Sequence, residues 1–497
     1  MERYPVSNYS IKESRQDLIA VGIILVYCIL FAAIRLFVSS TMETDEAEQF
    51  LKAAYSLGNN NQPPLYTMIV RTVFSIFGVN STLLIGSKYL LIFFFYLTFY
   101  LISRNFWDAK RALILSGSLS LFHTYSYDFI RHLTHTVLVT LIASVTCLIY
   151  VRLLQGKKGI YYLSLGIFTG LGILSKYNFI FFLAALILAS LSCKTGRNAI
   201  LDRRIFITTM AGLIIILPHI ISLIREGFPA VHYALERSKT GEADLGNFLP
   251  FLKSYFIPFL PFIITFTLFF YPHLSLKNNK SDGRLLFFRW LAFYGLLIPL
   301  ILFFALKSRN LNERWLAPVY FLIPIASSSM VGIGAHSKRI YFFGYLCAFI
   351  VFLILLSRSL VGFLPDRIGK VERIHIPFKV ISLKLAEELR QRDIHDPVIV
   401  SDNWYIAANV MAWMPGARFV PLQDLRAGLT RFDGKTKKGV VLYDASMGGG
   451  IPAGLKGILP SAIRIKPLEA KYLHSEKHSP YVLGAAIIPV EHLAMPE

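Results

Sequence analysis

Residues 18–50 read LIAVGIILVYCILFAAIRLFVSSTMETDEAEQF, an apolar run to Val38 followed by Glu43, Asp45, Glu46 and Glu48 within six positions. A helix needs about 20 apolar residues to cross a bilayer, and Leu18–Val38 supplies them. The N-terminal segment Met1–Asp17 is polar and lacks a small-residue cleavage site before a long span. The run is therefore expected to be a retained helix and not a cleaved signal peptide. Arg35 stands three residues from its end and is expected to snorkel to the interface. Carboxylates directly after a span have a simple structural explanation: the polar first turn of an interfacial helix, capped by Thr44. They also have a chemical one, taken up below.

Working outward, the pattern repeats. Further apolar runs lie near 82–103, 112–127, 135–151, 160–175, 179–192, 205–224, 250–271, 290–306, 315–333 and 340–361. Of 497 residues, 55% are hydrophobic and 16% charged, against roughly 25% charged in a soluble domain. A mean hydropathy of +0.54 over this length requires many such runs rather than one buried core. The formal charge of +21 raises nucleic acid as a partner, but the cations are scattered through short loops between apolar runs. That distribution belongs to a membrane protein with positive loops on one side, and nucleic acid is excluded as a partner. Cys28, Cys147, Cys193 and Cys347 all lie within or beside apolar runs, so neither a disulfide framework nor a zinc site is expected.

The expected fold class is a polytopic α-helical membrane protein of about 11 transmembrane helices with a C-terminal α/β soluble domain. Its expected parts are a cytoplasmic segment at 1–17, a transmembrane catalytic domain at 18–361 with an outside loop at 41–81, and a soluble periplasmic domain at 362–497. With the N-terminus in the cytoplasm, alternate loops carry Arg104/Lys110/Arg111, Arg152/Lys157/Lys158, Lys194/Arg197/Arg203/Arg204, Lys277/Lys280/Arg284/Arg289 and Lys338/Arg339. The opposite loops are poorer in cations, and they collect the unusual residues. Past 362 an amphipathic helix is expected at 378–392, a strand at 397–401, a helix around Ile406–Met411, and strands near 439–443 and 481–489.

Four constellations on the opposite face carry chemistry. The acidic segment leads to Asn59-Asn-Asn-Gln-Pro63-Pro64-Leu-Tyr66 and a second amphipathic segment at 66–77, more than a mere connection requires. Ser175-Lys176-Tyr177-Asn178 places a lysine between two apolar runs, where it either snorkels or meets an anion. Arg314, in Asn310-Leu-Asn-Glu313-Arg314-Trp315-Leu-Ala-Pro, suits a phosphate bidentately, with Glu313 or an acid of the first loop as its structural alternative. Tyr127-Asp128-Phe-Ile-Arg131-His132-Leu-Thr-His135 offers two histidines three apart, but no second cluster completes a metal site. The glycines at 448–450 lack the Lys-Ser/Thr of a phosphate loop.

The order of acidic pair, Pro-Pro-Leu turn, Gly170-Leu-Gly-Ile-Leu-Ser-Lys176-Tyr177 and Arg314-Trp-Leu-Ala-Pro318 resembles glycosyltransferase family 39. This is the GT-C superfamily of protein O-mannosyltransferases and lipid A aminoarabinose transferases, and the chain looks closest to the branch adding galacturonic acid to lipopolysaccharide. The similarity covers most of 18–335. It implies an inverting glycosyltransferase that moves a sugar from a polyprenyl-phosphate donor to a glycolipid or protein acceptor on the periplasmic face of a bacterial inner membrane. The resemblance implies Asp45, with Glu46, as the catalytic acids, and Lys176 and Arg314 as binders of the donor phosphate. Arg131, His135, Pro64 and Tyr177 are candidate substrate contacts. No metal or cofactor is required, and nothing indicates a divalent cation. Two departures stand out. Asn61-Gln62 replace an acid-Lys pair before the prolines, and the second outside loop has Arg131, His132 and His135 where many relatives have an acid, Asp128 being the nearest. The alternative is a transporter or flippase, which would show inverted repeats and mid-span ionisable residues; no repeat is visible.

Overall fold

The computed structural model describes residues 11–55, 62–228, 245–274, 282–305, 313–331, 337–422, 438–446 and 462–489. Two compact units divide the chain. One comprises Met1–Leu30, Asn59–Tyr66 and Lys88–Ile354, the other Phe31–Gly58, Thr67–Ser87 and Leu355–Glu497.

Among the described residues, all eleven apolar runs are mainly helical, though not all are continuous spans. Among the described residues, six helices are long and apolar enough to cross a membrane, or up to eight if each of two bent pairs counts as one span. The first of these is α1 (Ile11–Val38). After α2 (Thr44–Tyr55) and α3 (Leu65–Phe77) comes α4 (Ser81–Arg104), the second long span. Leu65–Phe77 accords with the amphipathic segment expected there. The helices Gly159–Ser175 and Phe179–Ser192 are separate, and the second turns by 116° into Lys194–Ile200. A 56° bend separates Pro250–Phe256 from Leu260–His273, with Pro258 and Pro261 at the break, where a missing N–H and ring clash interrupt the ladder.

The run at 112–127 departs most from a plain span. It is an α-helix over Ala109–Gly117, a 3-10 turn over Ser118–Leu121 and a π-helical turn over Thr124–Asp128. The Ser116, Ser118 and Ser120 hydroxyls donate to the carbonyls of Ala112, Leu115 and Gly117. Such back-bonding competes with the peptide ladder and bends helices. The run at 315–333 is likewise split, into Glu313–Trp315, Ala317–Tyr320 and Leu322–Ser328.

Close helix packing in the first unit rests on small residues. Gly166 and Gly170, spaced as G-x-x-x-G, lie against Ile205–Arg225: a Cβ on Gly166 would come within 2.4 Å of the Thr208 carbonyl, and one on Gly170 within 2.9 Å of Ile215. With no hydrophobic drive between helices in lipid, such close backbone approach is what holds them together.

In the second unit a sheet runs β2-β1-β3-β6-β4, with β5 also on β6. The strands are β1 (Val398–Ser401), β2 (Arg418–Pro421), β3 (Lys438–Asp444), β4 (Ile463–Arg464), β5 (Leu468–Ala470) and β6 (Tyr481–Pro489). β1 pairs in parallel with β2 and β3, while β6 runs antiparallel to β3, β4 and β5. Val398, Val400, Val420, Val441, Ala486 and Ile488 form its core. The helix Phe378–Arg390 buries Phe378, Ile381, Leu385 and Leu389, the single stripe of an amphipathic helix. Asn403 caps the helix Trp404–Met411, its side chain accepting from the Tyr405 and Ile406 amides.

Gly166→Leu should overpack the helix crossing and destabilise the protein by roughly 1–3 kcal/mol. A lowered melting temperature of the detergent-solubilised protein would register it; an unchanged one would show the crossing to be slack.

Candidate active site

The acidic segment belongs to the second unit and is built around Arg35. This guanidinium, 5% exposed, donates to the carbonyls of Ser39 (2.7 Å) and Thr41 (2.6 Å) and to Glu46 Oε2 (3.0 Å). The expectation that Arg35 snorkels is thus corrected. Carbonyls of the non-helical segment beyond α1 and a buried carboxylate hold its two terminal nitrogens in place. The cap is corrected as well. Ala47 N–H donates to the Glu43 carbonyl, and Glu43 N–H donates to Glu46 Oε2 (2.9 Å). Glu43 therefore holds the cap position, Thr44 begins the helix, and Glu46 closes back on the cap as in a capping box. Glu46 is fully buried while Asp45, one position earlier, is half-buried. Glu46 is thus the acid of the pair that anchors the turn.

The cations belong to the first unit, Lys176 reaching the first turn of the helix His135–Gly156 and Arg314 the loop just ahead of it. Lys176, in extended backbone between two helices, donates through Nζ to Thr136 Oγ1 (2.7 Å). Arg314 donates to His132 Nε2 (2.7 Å). Asn178 Nδ2 donates to the Trp315 carbonyl (2.9 Å), joining the Lys176 segment to the Arg314 segment. A guanidinium cannot accept a hydrogen bond, so His132 Nε2 must be unprotonated. Its environment agrees: burial, then Arg314, Arg131 and Lys88, push its pKa down to about 4 against the opposing pull of Asp128.

The remaining predicted contacts fall in the same region of this unit. His135 Nδ1 lies 3.2 Å from the Ser175 carbonyl, and its ring packs on Tyr66 at 5.1 Å. Tyr177 bonds through its hydroxyl to His219 Nε2 (3.0 Å). Arg131 donates to the Tyr127 hydroxyl (2.7 Å) and lies over that ring. Pro64, half-buried, precedes α3. Asp128 is buried, with His123 Nδ1 at 3.4 Å and His132 Nε2 at 4.0 Å. The two spaced histidines thus have different partners. Among the described residues, no group of three or more His, Cys, Asp or Glu could hold a metal ion. Asn61, Arg309, Asn310–Asn312 and the run Met447-Gly-Gly-Gly-Ile lie outside the described residues.

Reading the sequence alone missed several residues. Lys88, in α4, is fully buried and donates to the carbonyls of Ile130 (3.4 Å) and Arg131 (3.1 Å), which fixes the loop bearing His132. A lysine seven positions into an apolar run was its signal, since such a charge faces the protein interior. Asn178 and His219 had no signal beyond polarity.

A many-helix membrane bundle with this α/β tail defines a multi-pass protein of the GT-C fold. The chain superposes on ArnT from Cupriavidus metallidurans, solved bound to undecaprenyl phosphate, with a TM-score of 0.58 and 13% identity over 96% of this chain and 99% of that one. Residues 61–221 match the family described as dolichyl-phosphate-mannose-protein mannosyltransferase. The lipopolysaccharide core galacturonosyltransferase RgtB of Rhizobium johnstonii is 31% identical over 315 residues, 61% of this chain and 63% of the relative. RgtA of the same organism is 28% identical over 406 residues, 78% of this chain and 79% of the relative. The chain thus spans under two thirds of RgtB's length and more of RgtA's.

His132 yields a signed expectation. Its folded pKa lies below the usual 6.5, so the folded state resists its protonation, and stability present above the ordinary value is lost as pH falls toward 4. Arg314, Arg131, Lys88 and Asp128 are the charged groups around it. His132→Gln should remove this part of the acid sensitivity. The melting-temperature gap between wild type and variant should then narrow from pH 7 to pH 4, and a gap constant across that range would contradict the assignment.

Proposed function

We propose that the protein is an inverting glycosyltransferase that moves a sugar from a polyprenyl-phosphate donor to a glycolipid of the bacterial envelope, on the periplasmic side of the inner membrane. The observation carrying this reading is the anchoring of Lys176 on Thr136, in the first turn of the helix His135–Gly156, and of Arg314 on His132 just ahead of that helix, the two segments joined by Asn178. Two cations so arranged suit one phosphate. The family and the names of the two Rhizobium relatives support the same class of reaction. Those names also make galacturonate the sugar to be tried first.

In the proposed step, the acceptor hydroxyl oxygen attacks the anomeric carbon and the carbon–oxygen bond to the phosphate breaks. The bonding pair leaves on the phosphate, which passes from a singly charged diester to a monoester carrying more negative charge. That growing charge calls for fixed cations and no proton, the role of Lys176 and Arg314. Asp45 takes the acceptor's proton, with Glu46 holding its turn in place. A single displacement inverts the anomeric configuration. Arg131, His135, Tyr177 and Pro64 are proposed substrate contacts. The cation-poor loops carrying these residues support the outward orientation.

Asp45→Asn should cut transfer on the order of 10²-fold or more, and Lys176→Met or Arg314→Met by about 10²–10³-fold. The measurement is mass spectrometry of envelope glycolipids from cells lacking the gene and supplied with each form. Full glycan restoration by Asp45→Asn would remove the proposed base. An unchanged glycan profile on deletion would remove the function.

A further inference from the structure

The tail beyond residue 362 makes hydrogen bonds that reach the residues ahead of Asp45. Asn409, 2% exposed on the helix Trp404–Met411, grips a single residue by both polar backbone groups. Its Oδ1 accepts from Met42 N–H at 2.7 Å, and its Nδ2 donates to the Met42 carbonyl at 3.3 Å. A side-chain amide carries one acceptor and two donors. Here it imitates a neighbouring strand, with the second donor fixed on the Tyr405 carbonyl at 3.1 Å. Met42 is completely buried, so these groups have no solvent to fall back on.

The contact has company on both sides. Thr41 Oγ1 donates to the Ile376 carbonyl (2.8 Å), Arg373 donates to Thr44 Oγ1 (2.7 Å), and His474 Nε2 donates to the Val38 carbonyl (3.0 Å). The segment from Val38 to Thr44 is thus held from the tail at intervals, while Arg35 and Glu46 hold it from within. Where this segment stops fixes where α2 starts. That start sets the rotation of the first turn, and Asp45 is its second residue.

We propose that Asn409 is a positioning residue for Asp45, and that the soluble domain registers the acidic turn for proton transfer through the Asn409–Met42 clamp. The inference rests on Asp45 being the base. A displacement near 1 Å at a reacting group can cost on the order of 10²-fold in rate. Asn409→Ala leaves a buried donor and acceptor at Met42 without their partners. Asn409→Asp keeps the acceptor for Met42 N–H and loses the donor to its carbonyl.

The test uses full-length protein in detergent, undecaprenyl-phosphate-linked galacturonate as donor and lipopolysaccharide core as acceptor. Asn409→Ala should lower kcat about tenfold or more with the donor KM within about twofold of wild type, and Asn409→Asp should fall between the two. Hydrogen exchange across residues 39–46 should quicken in Asn409→Ala while the long helices keep their protection. A kcat within twofold of wild type, or kcat and donor binding failing together, overturns the proposal. If Asn409→Ala does not fold, the same two readings on Asn409→Asp decide. Asp45→Asn, run alongside, separates the ideas: its full activity removes the base, whereas an inactive Asp45→Asn beside a fully active Asn409 pair removes the positioning role alone.

Discussion

A guanidinium shut away from water at the end of α1 imposes the strictest condition on the second unit. Arg35 cannot lose its proton, and a buried charge survives only if it is paired and hydrogen-bonded. Meeting that demand takes the carbonyls of Ser39 and Thr41 and the carboxylate of Glu46. Each of these partners constrains the chain. Two carbonyls must turn back toward α1, which keeps the connection out of the helix. The carboxylate must sit at the third position of α2, which fixes the cap at Glu43. The acidic turn is therefore the geometric consequence of one buried cation, and Asp45 inherits its place from it.

In the first unit a different economy of charge applies. Lys88 holds the backbone of Ile130 and Arg131 from inside α4, while His132, kept neutral, accepts from Arg314. A protonated imidazole there would repel the guanidinium it now orients. Burying a basic side chain beside three cations keeps it an acceptor, so that the electropositive cluster organises itself without adding another charge.

Much of this architecture was legible in the sequence. The eleven apolar runs, the α3 segment, the helix at 378–390 and the strands β1, β3 and β6 all announce themselves through period and composition. The interruptions did not. Nothing in a hydropathy average separates a continuous span from the α, 3-10 and π pieces of 109–128, because serines are tolerated in apolar helices and their back-bonding emerges only in three dimensions. β4 and β5 are too short, at two and three residues, to show alternation, and β2, Arg418-Phe-Val-Pro421, has only two apolar residues between an arginine and a proline. At the site, residue type and the family resemblance picked out Asp45, Lys176 and Arg314 as candidates, and the structure brings the two cations to Thr136 and His132, four positions apart. Their supports were invisible, since Asn409 lies 367 positions from Met42 and Asn178 and His132 differ from ordinary polar residues only in what they touch. The reading of Arg35 failed for the same reason: its partners lie beyond the helix that carries it.

The attachment of Met42 to Asn409 also bears on how such a chain can change over time. A tail held only by a linker could be exchanged, shortened or reshaped while the membrane part continued unaltered. Here the tail shares hydrogen bonds with the turn next to α1, so drift in one obliges adjustment in the other. Residues 38–46 and the helix Trp404–Met411 form one inheritable module despite their distance in the chain. A chimera carrying a relative's tail would need that relative's first loop along with it.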